Sequence, residues 1–344
     1  MMLDKTLNKM DPVYEVMGLL YISYNLEEVK DETKKKLSEL GFDGEQFYSK
    51  NFKAFDRYVQ TFLKNRVESG MESFFFNEKD SNYFRILLSL MIENKDWLTS
   101  LDHLSENQIN SEIIRICKMI MDDETNAVSS TSLDDIVVFL DNSGLQSDVK
   151  WKMLHVMQKP KKYIGYLTEI IKSNLDAYEK AVSDVAVPLE KLLNQYNTMT
   201  LNYGDKKFYE LKNTIAQDSV VYPSLIFPVS QMIFEKSCYY GLLSEKLTKD
   251  GKIRQNSKEL LLLKLKALSD SSKLEIISSL KISPKYNLEI AQQLGLTAAT
   301  MSHHMNVLLN CGLVGVEKRD GKVYYHLEKE SLQELVKDLE ETLL

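Results

Sequence analysis

At 344 residues, with 44% hydrophobic and 27% charged, the chain is long enough for two or three domains, and its composition excludes extended disorder. No apolar run approaches the roughly 20 residues of a membrane helix, and Met1–Lys5 lacks the apolar stretch of a secretory signal, so a cytoplasmic protein with no membrane partner is expected. The net charge of −7 argues against nucleic-acid binding by the whole surface and confines any such contact to one region.

From the N-terminus, apolar residues at 3-4 spacing predict helices over Asp11–Tyr24, Phe52–Asn65, Phe84–Met91, Asn110–Met121, Leu133–Leu140, Val149–Met157 and Lys162–Gln195. These belong to a mainly helical body over residues 1–250, expected to serve effector binding or oligomerisation. Most of the 18 Tyr and 13 Phe lie there, including Phe74-Phe75-Phe76. Such aromatics more often build a core than a pocket, and a pocket walled by them would take a small apolar effector. Lys34-Lys35-Lys36 and Lys161-Lys162 read as solvated faces. Cys117, Cys238 and Cys311 are too scattered for a disulfide framework or zinc site and read as buried apolar residues.

No phosphate-binding loop, dinucleotide turn, zinc-protease helix or nucleophile elbow occurs, and His103 and His155 are the only histidines before residue 258. No catalytic residue, cofactor or metal is therefore assigned. Around Asp218 the pattern turns β-branched and aromatic, and short strands are expected within 219–235, over Ser219–Phe227 and Gln231–Phe234 on either side of Pro228. Lys249–Ser257 is polar and aperiodic, an exposed connection that sets a domain boundary before residue 258.

Over 258–344 the order of elements is specific. An apolar helix at Leu260–Leu268 is followed by the breaking and capping residues Ser269–Ser272 and a helix at Lys273–Leu280. A short helix, Leu288–Leu294, ends at Gly295, and Thr297 caps the next, Ala298–Asn310. On that helix Met301, Met305 and Leu308 define one side. Taking Met301 as zero, His303 falls at roughly 200°, flanked by Ala299, Thr300 and Asn306, while His304 lies nearer the packed edge. This describes a helix-turn-helix whose second member fits a major groove. A hairpin then runs from Leu313 through Asp320-Gly321 to Leu327, with Lys318, Arg319 and Lys322 near its tip, placed to reach phosphates or the minor groove. Residues 258–330 carry a net +2, against −6 for residues 1–257.

These residues resemble the arsenical-resistance repressor family of bacterial winged-helix regulators, in Lys266–Asp270, Leu274-Glu275-Ile276, Glu289-Ile290-Ala291, Leu294–Thr297, Thr300–Met305, Leu308, Gly312-Leu313-Val314 and Gly321–Tyr325. The resemblance covers about a quarter of the chain. It implies a homodimer on an inverted-repeat double-stranded operator, repressing until an inducer arrives. Thr297, Thr300, Ser302, His303 and Asn306 form the expected base-facing set, and Lys318, Arg319 and Lys322 the backbone-facing set. Lys273 stands where arginine is common, and Ala298-Ala299 replaces a frequently polar pair. Neither metal site of the family can be built, because Asn287–Ile290 has no cysteine and Ser331–Leu344 no histidine. The apolar stripe Leu332, Leu335, Val336, Leu339 and Leu343 packs partly on its own domain and, with Leu260–Leu265, partly on a partner.

The expected fold is thus mainly α with a small β component, a large helical N-terminal domain followed by a C-terminal winged helix-turn-helix. The expected function is transcriptional regulation. A protein-interaction scaffold, or an enzyme with an unrecognised N-terminal site, stands as the alternative.

Overall fold

The computed structural model describes residues 7–40, 42–77, 81–121, 132–143, 145–201, 205–249, 258–296, 298–319 and 322–344. Helices come first: α1 (Pro12–Glu39), α2 (Gly44–Asn51), α3 (Lys53–Asn65), α4 (Glu72–Phe76), α5 (Ser81–Glu93), α6 (Trp97–Ser100) and α7 (Glu106–Met121). They continue as α8 (Leu133–Asn142), α9 (Ser147–Gln158), α10 (Pro160–Ser173), α11 (Leu175–Asp184), α12 (Ala186–Leu201) and α13 (Lys206–Ile215). Three strands follow, β1 (Val220–Ser224), β2 (Gln231–Ile233) and β3 (Ser237–Gly241), and then α14 (Ser244–Lys249). The C-terminal part comprises α15 (Lys258–Leu268), α16 (Ser271–Ile282), β4 (Lys285–Tyr286), α17 (Asn287–Leu294), α18 (Ala298–Asn310), β5 (Val314–Arg319), β6 (Lys322–Leu327) and α19 (Lys329–Leu343). The mainly helical class with small sheets is what the sequence predicts. The chain forms two compact units, one of residues 1–31, 49–204 and 218–244, the other of 32–48, 205–217 and 245–344.

In the first unit the periodicity had joined Lys162–Gln195 into one helix, and the structure corrects this to three, with breaks at Asn174 and Val185. Asn174 is buried and turns its amide on Val67: Oδ1 accepts from the Val67 N–H at 2.9 Å and Nδ2 donates to the Val67 carbonyl at 3.1 Å. A side chain so engaged ends one helix and opens the next. Pro188 lacks the N–H that a continuous helix would need, and it is accommodated in the first turn of α12, where no partner is required.

The small sheet has the order β1-β3-β2, with β1 parallel and β2 antiparallel to β3. Of these only β3 lay beyond the expected segments, and all five of its residues are buried. Two acids of α1 and its start fasten the sheet. Tyr239 donates to Asp11 Oδ2 at 2.5 Å, Lys95 pairs with the same carboxylate, and the Tyr14 ring stacks on Tyr239 at 3.6 Å. Glu15, fully buried, accepts the Leu225 and Ile226 amides at 3.1 Å each and the Tyr58 hydroxyl at 2.9 Å. Around this frame Phe75 and Phe76 are core residues, as are Cys117 and Cys238, and burial pushes the Cys117 thiol up to about 12.

Desolvation pushes the Glu15 carboxyl up from 4.5 to about 7, against the opposing pull of hydrogen bonds from Ser224, Tyr58, Leu225 and Ile226. The folded chain then holds a proton that the unfolded chain has released, so this group's contribution falls as pH rises between those values. Urea midpoints across that window should decline more steeply for the wild type than for Glu15→Gln. Glu15→Ala, which strands two amides and a phenol, should lose about 3–5 kcal/mol.

Candidate nucleic-acid interface

Over the C-terminal part of the second unit Leu261, Ile276, Leu280, Ile290, Met301, Met305, Leu308, Leu313 and Leu335 meet in a hydrophobic core. Capping residues set where each helix around it begins. Asp270 Oδ1 accepts the Lys273 amide at 3.0 Å and starts α16. That amide, with the Lys273 ammonium and His304 nearby, holds the Asp270 carboxyl below its ordinary range. Glu289 reaches back to the Tyr286 amide at 3.0 Å at the start of α17.

Two left-handed glycines bracket the next element. Gly295, at φ 64° and ψ 28°, ends α17 while the Leu296 amide closes on the Ala291 carbonyl at 2.9 Å. Gly312, at φ 67°, ends α18, with the Leu313 amide on the Leu308 carbonyl at 3.0 Å. Chain reversals so close to both ends leave α18 little freedom to slide or extend.

Met301, Met305 and Leu308 are all buried, so one side of α18 is committed to the core. Thr300 and Asn306 are exposed, and on a regular helix they stand at roughly 260° and 140° from Met301, about 9 Å apart along the axis. The outward arc between them is centred on position 303. Thr297 lies outside the described residues, as do the side chains of Ser302 and His303. His304 is half-buried, on the edge facing Asp270. The structure therefore brings Thr300 and Asn306 to one solvent face about 20 Å long, a length suited to a major groove.

Beside this face stands the hairpin, a sheet of order β4-β6-β5 in which Arg319 pairs with Lys322 and Lys318 with Val323. The Asp320-Gly321 turn and the Lys322 side chain lie outside the described residues. Lys318 and Arg319 are exposed but already engaged. Lys318 Nζ donates to the Ile215 carbonyl at 2.8 Å, and the Arg319 guanidinium pairs with Glu317 at 2.6 Å. Sequence reasoning missed the first of these. Helix α13 packs on β5, and its last-turn carbonyl, at the negative end of the helix dipole, receives the ammonium of the wing. The only available signal was the amphipathic run Lys206–Ile215 lying upstream of the strands, and nothing in it names β5 as its neighbour.

The stripe on α19 divides. Leu335 is buried and Leu332 and Leu339 pack on the core, whereas Val336 and Leu343 are exposed, as is Leu262 on α15. Among the described residues no group of three His, Cys, Asp or Glu could hold a metal ion, and no helix is long and apolar enough to cross a membrane.

Residues 270–316 match the family model described as bacterial regulatory protein, arsR family. The chain is also 34% identical over 75 residues to the arsenical resistance operon repressor of Staphylococcus aureus, a stretch covering 22% of this chain and 72% of that protein. No solved structure matches the chain. The family match ends inside β5, so it includes both bracketing glycines and all of α18 but stops short of the wing cations.

A Cβ at Gly295 would meet no neighbouring atom, so the cost of substitution is purely conformational. Gly295→Ala should lower stability by about 1–2 kcal/mol, and Gly295→Asn by less, because asparagine tolerates the left-handed region. Thermal unfolding of the two variants checks both values.

Proposed function

The chain belongs, through its C-terminal domain, to the arsR family of bacterial regulatory proteins, and from that premise we propose that this DNA-binding transcriptional regulator is a dimeric operator-binding repressor. The observation that carries the reading is the split of α18 into a buried methionine side and a polar solvent side. Thr297, Thr300, Ser302, His303 and Asn306 read base edges in this proposal, and Lys318, Arg319 and Lys322 hold the phosphates. Lys318 and Arg319 exchange a backbone carbonyl and the half-buried Glu317 carboxylate for phosphate oxygens, which accept charge-assisted hydrogen bonds from both.

Repression follows the relative's printed role. A homodimer is supported by the apolar side chains of Leu262, Val336 and Leu343, which their own unit leaves uncovered. Two-fold symmetry would set two copies of α18 about one DNA turn apart, roughly 34 Å, on an inverted repeat. We place the protein in the cytoplasm. Residues 258–344 form the DNA-reading domain, and residues 1–250 supply the response to a small apolar effector.

Mobility-shift titration of the DNA upstream of the protein's own gene, at two salt concentrations, tests this. A shift that weakens with salt is expected, and its absence would favour a protein-binding role for the winged helix. His303→Ala should lose roughly 1–3 kcal/mol and relax sequence preference, whereas Lys322→Ala should weaken all sequences alike. Equal, sequence-independent losses from both would contradict the division of roles.

A further inference from the structure

Lys318, a phosphate-facing residue in the operator reading, is exposed, yet its ammonium donates to the Ile215 carbonyl at 2.8 Å. That carbonyl belongs to the last turn of α13, where the free carbonyls of a helix sum to about half a negative charge. The turn is closed by further bonds. The Ala216 amide returns to the Lys212 carbonyl at 2.7 Å, and the Thr214 hydroxyl donates to the Glu210 carbonyl at 2.8 Å. Lys212, fully buried, donates its ammonium to the Gln217 carbonyl at 2.8 Å.

The two ends of α13 are held by different means. At its start Asp205 Oδ1 accepts the Phe208 amide at 3.2 Å, and Phe208 and Tyr209 are buried. The last turn instead shows Asn213 to solvent and leaves Thr214 and Ile215 half-buried. A helix anchored by packing at one end and by hydrogen bonds at the other opens from the second end first.

A phosphate drawn to Lys318 meets the negative end of α13 at the same ammonium. Two acceptors of one ammonium stand at most about 6 Å apart, so the phosphate and the helix end repel each other, and each weakens the other's hold. We propose, resting on the operator-binding reading, that the last turn of α13 is an autoinhibitory latch: it competes with DNA phosphate for Lys318, and its opening permits tight binding. Such coupling is reciprocal, so whatever loosens the turn tightens the complex, and the complex loosens the turn. The latch also has an input. Four residues separate Ile215 from β1, and the chain leaving β1 is gripped at Leu225 and Ile226 by Glu15. A displacement of β1 therefore reaches the latch along the backbone.

The test uses the full chain and the DNA upstream of its own gene. Lys212→Met removes a positive charge, which by itself would weaken DNA binding, but it also releases the Gln217 carbonyl, so the latch predicts binding about threefold tighter. A gentler pair avoids the buried site. Asn213→Gly and Asn213→Ala both lose the 3.4 Å contact of Asn213 with Lys212 and differ in helix preference, so the glycine variant should bind DNA up to about fivefold tighter than the alanine variant. Hydrogen exchange of the amides of 212–217 should quicken when DNA is added, while the Phe208 amide keeps its protection. Unchanged or slowed exchange there, weaker binding by Lys212→Met, or a glycine variant no tighter than the alanine one overturns the latch. A chain that shifts no DNA at either salt concentration overturns the operator reading instead, which is a different failure.

Discussion

The polar solvent side of α18 exists because Met301, Met305 and Leu308 cannot be anywhere but inside. Burying a side chain of that size is worth about 1.5–3 kcal/mol, so turning α18 by one residue would expose three such groups at a cost of several kcal/mol. The rotation of the helix is therefore set from behind, by apolar contact, and the polar residues in front inherit their direction. Gly295 and Gly312 complete the constraint by fixing where the helix starts and stops. Both thereby fix where along the helix Thr300 and Asn306 stand.

The wing is governed differently. It is a two-stranded ribbon with a two-residue strand on its other side, and alone such a ribbon would be marginally stable. Packing α13 against β5 supports the ribbon, and Lys318 fastens the end of that helix. Lys318 and Arg319 near the tip are thus held in place by a backbone carbonyl and a half-buried carboxylate.

Much of this was readable in one dimension. The 3-4 spacing on α18, the glycines after Leu294 and Cys311, and the Asp270 cap each reflect an interaction spanning at most a few residues, and the structure has them where local rules put them. What was not readable depended on distant partners. The Asn174 break answers to Val67, more than one hundred residues away, and Lys318 answers to Ile215 at a similar separation. Strand β3 was hidden for another reason. Ser237-Cys238-Tyr239-Tyr240-Gly241 is short, buried on both faces and without alternation, and a parallel partner leaves no hairpin turn to announce it.

The second unit draws on three separate stretches of the chain, and the polypeptide passes between the two units five times. A graft beginning at residue 258 would leave α13 behind and strip the support from β5. The same interlacing means that a substitution in Asp205–Gln217, far upstream of the hairpin in sequence, can disturb the packing beneath β5.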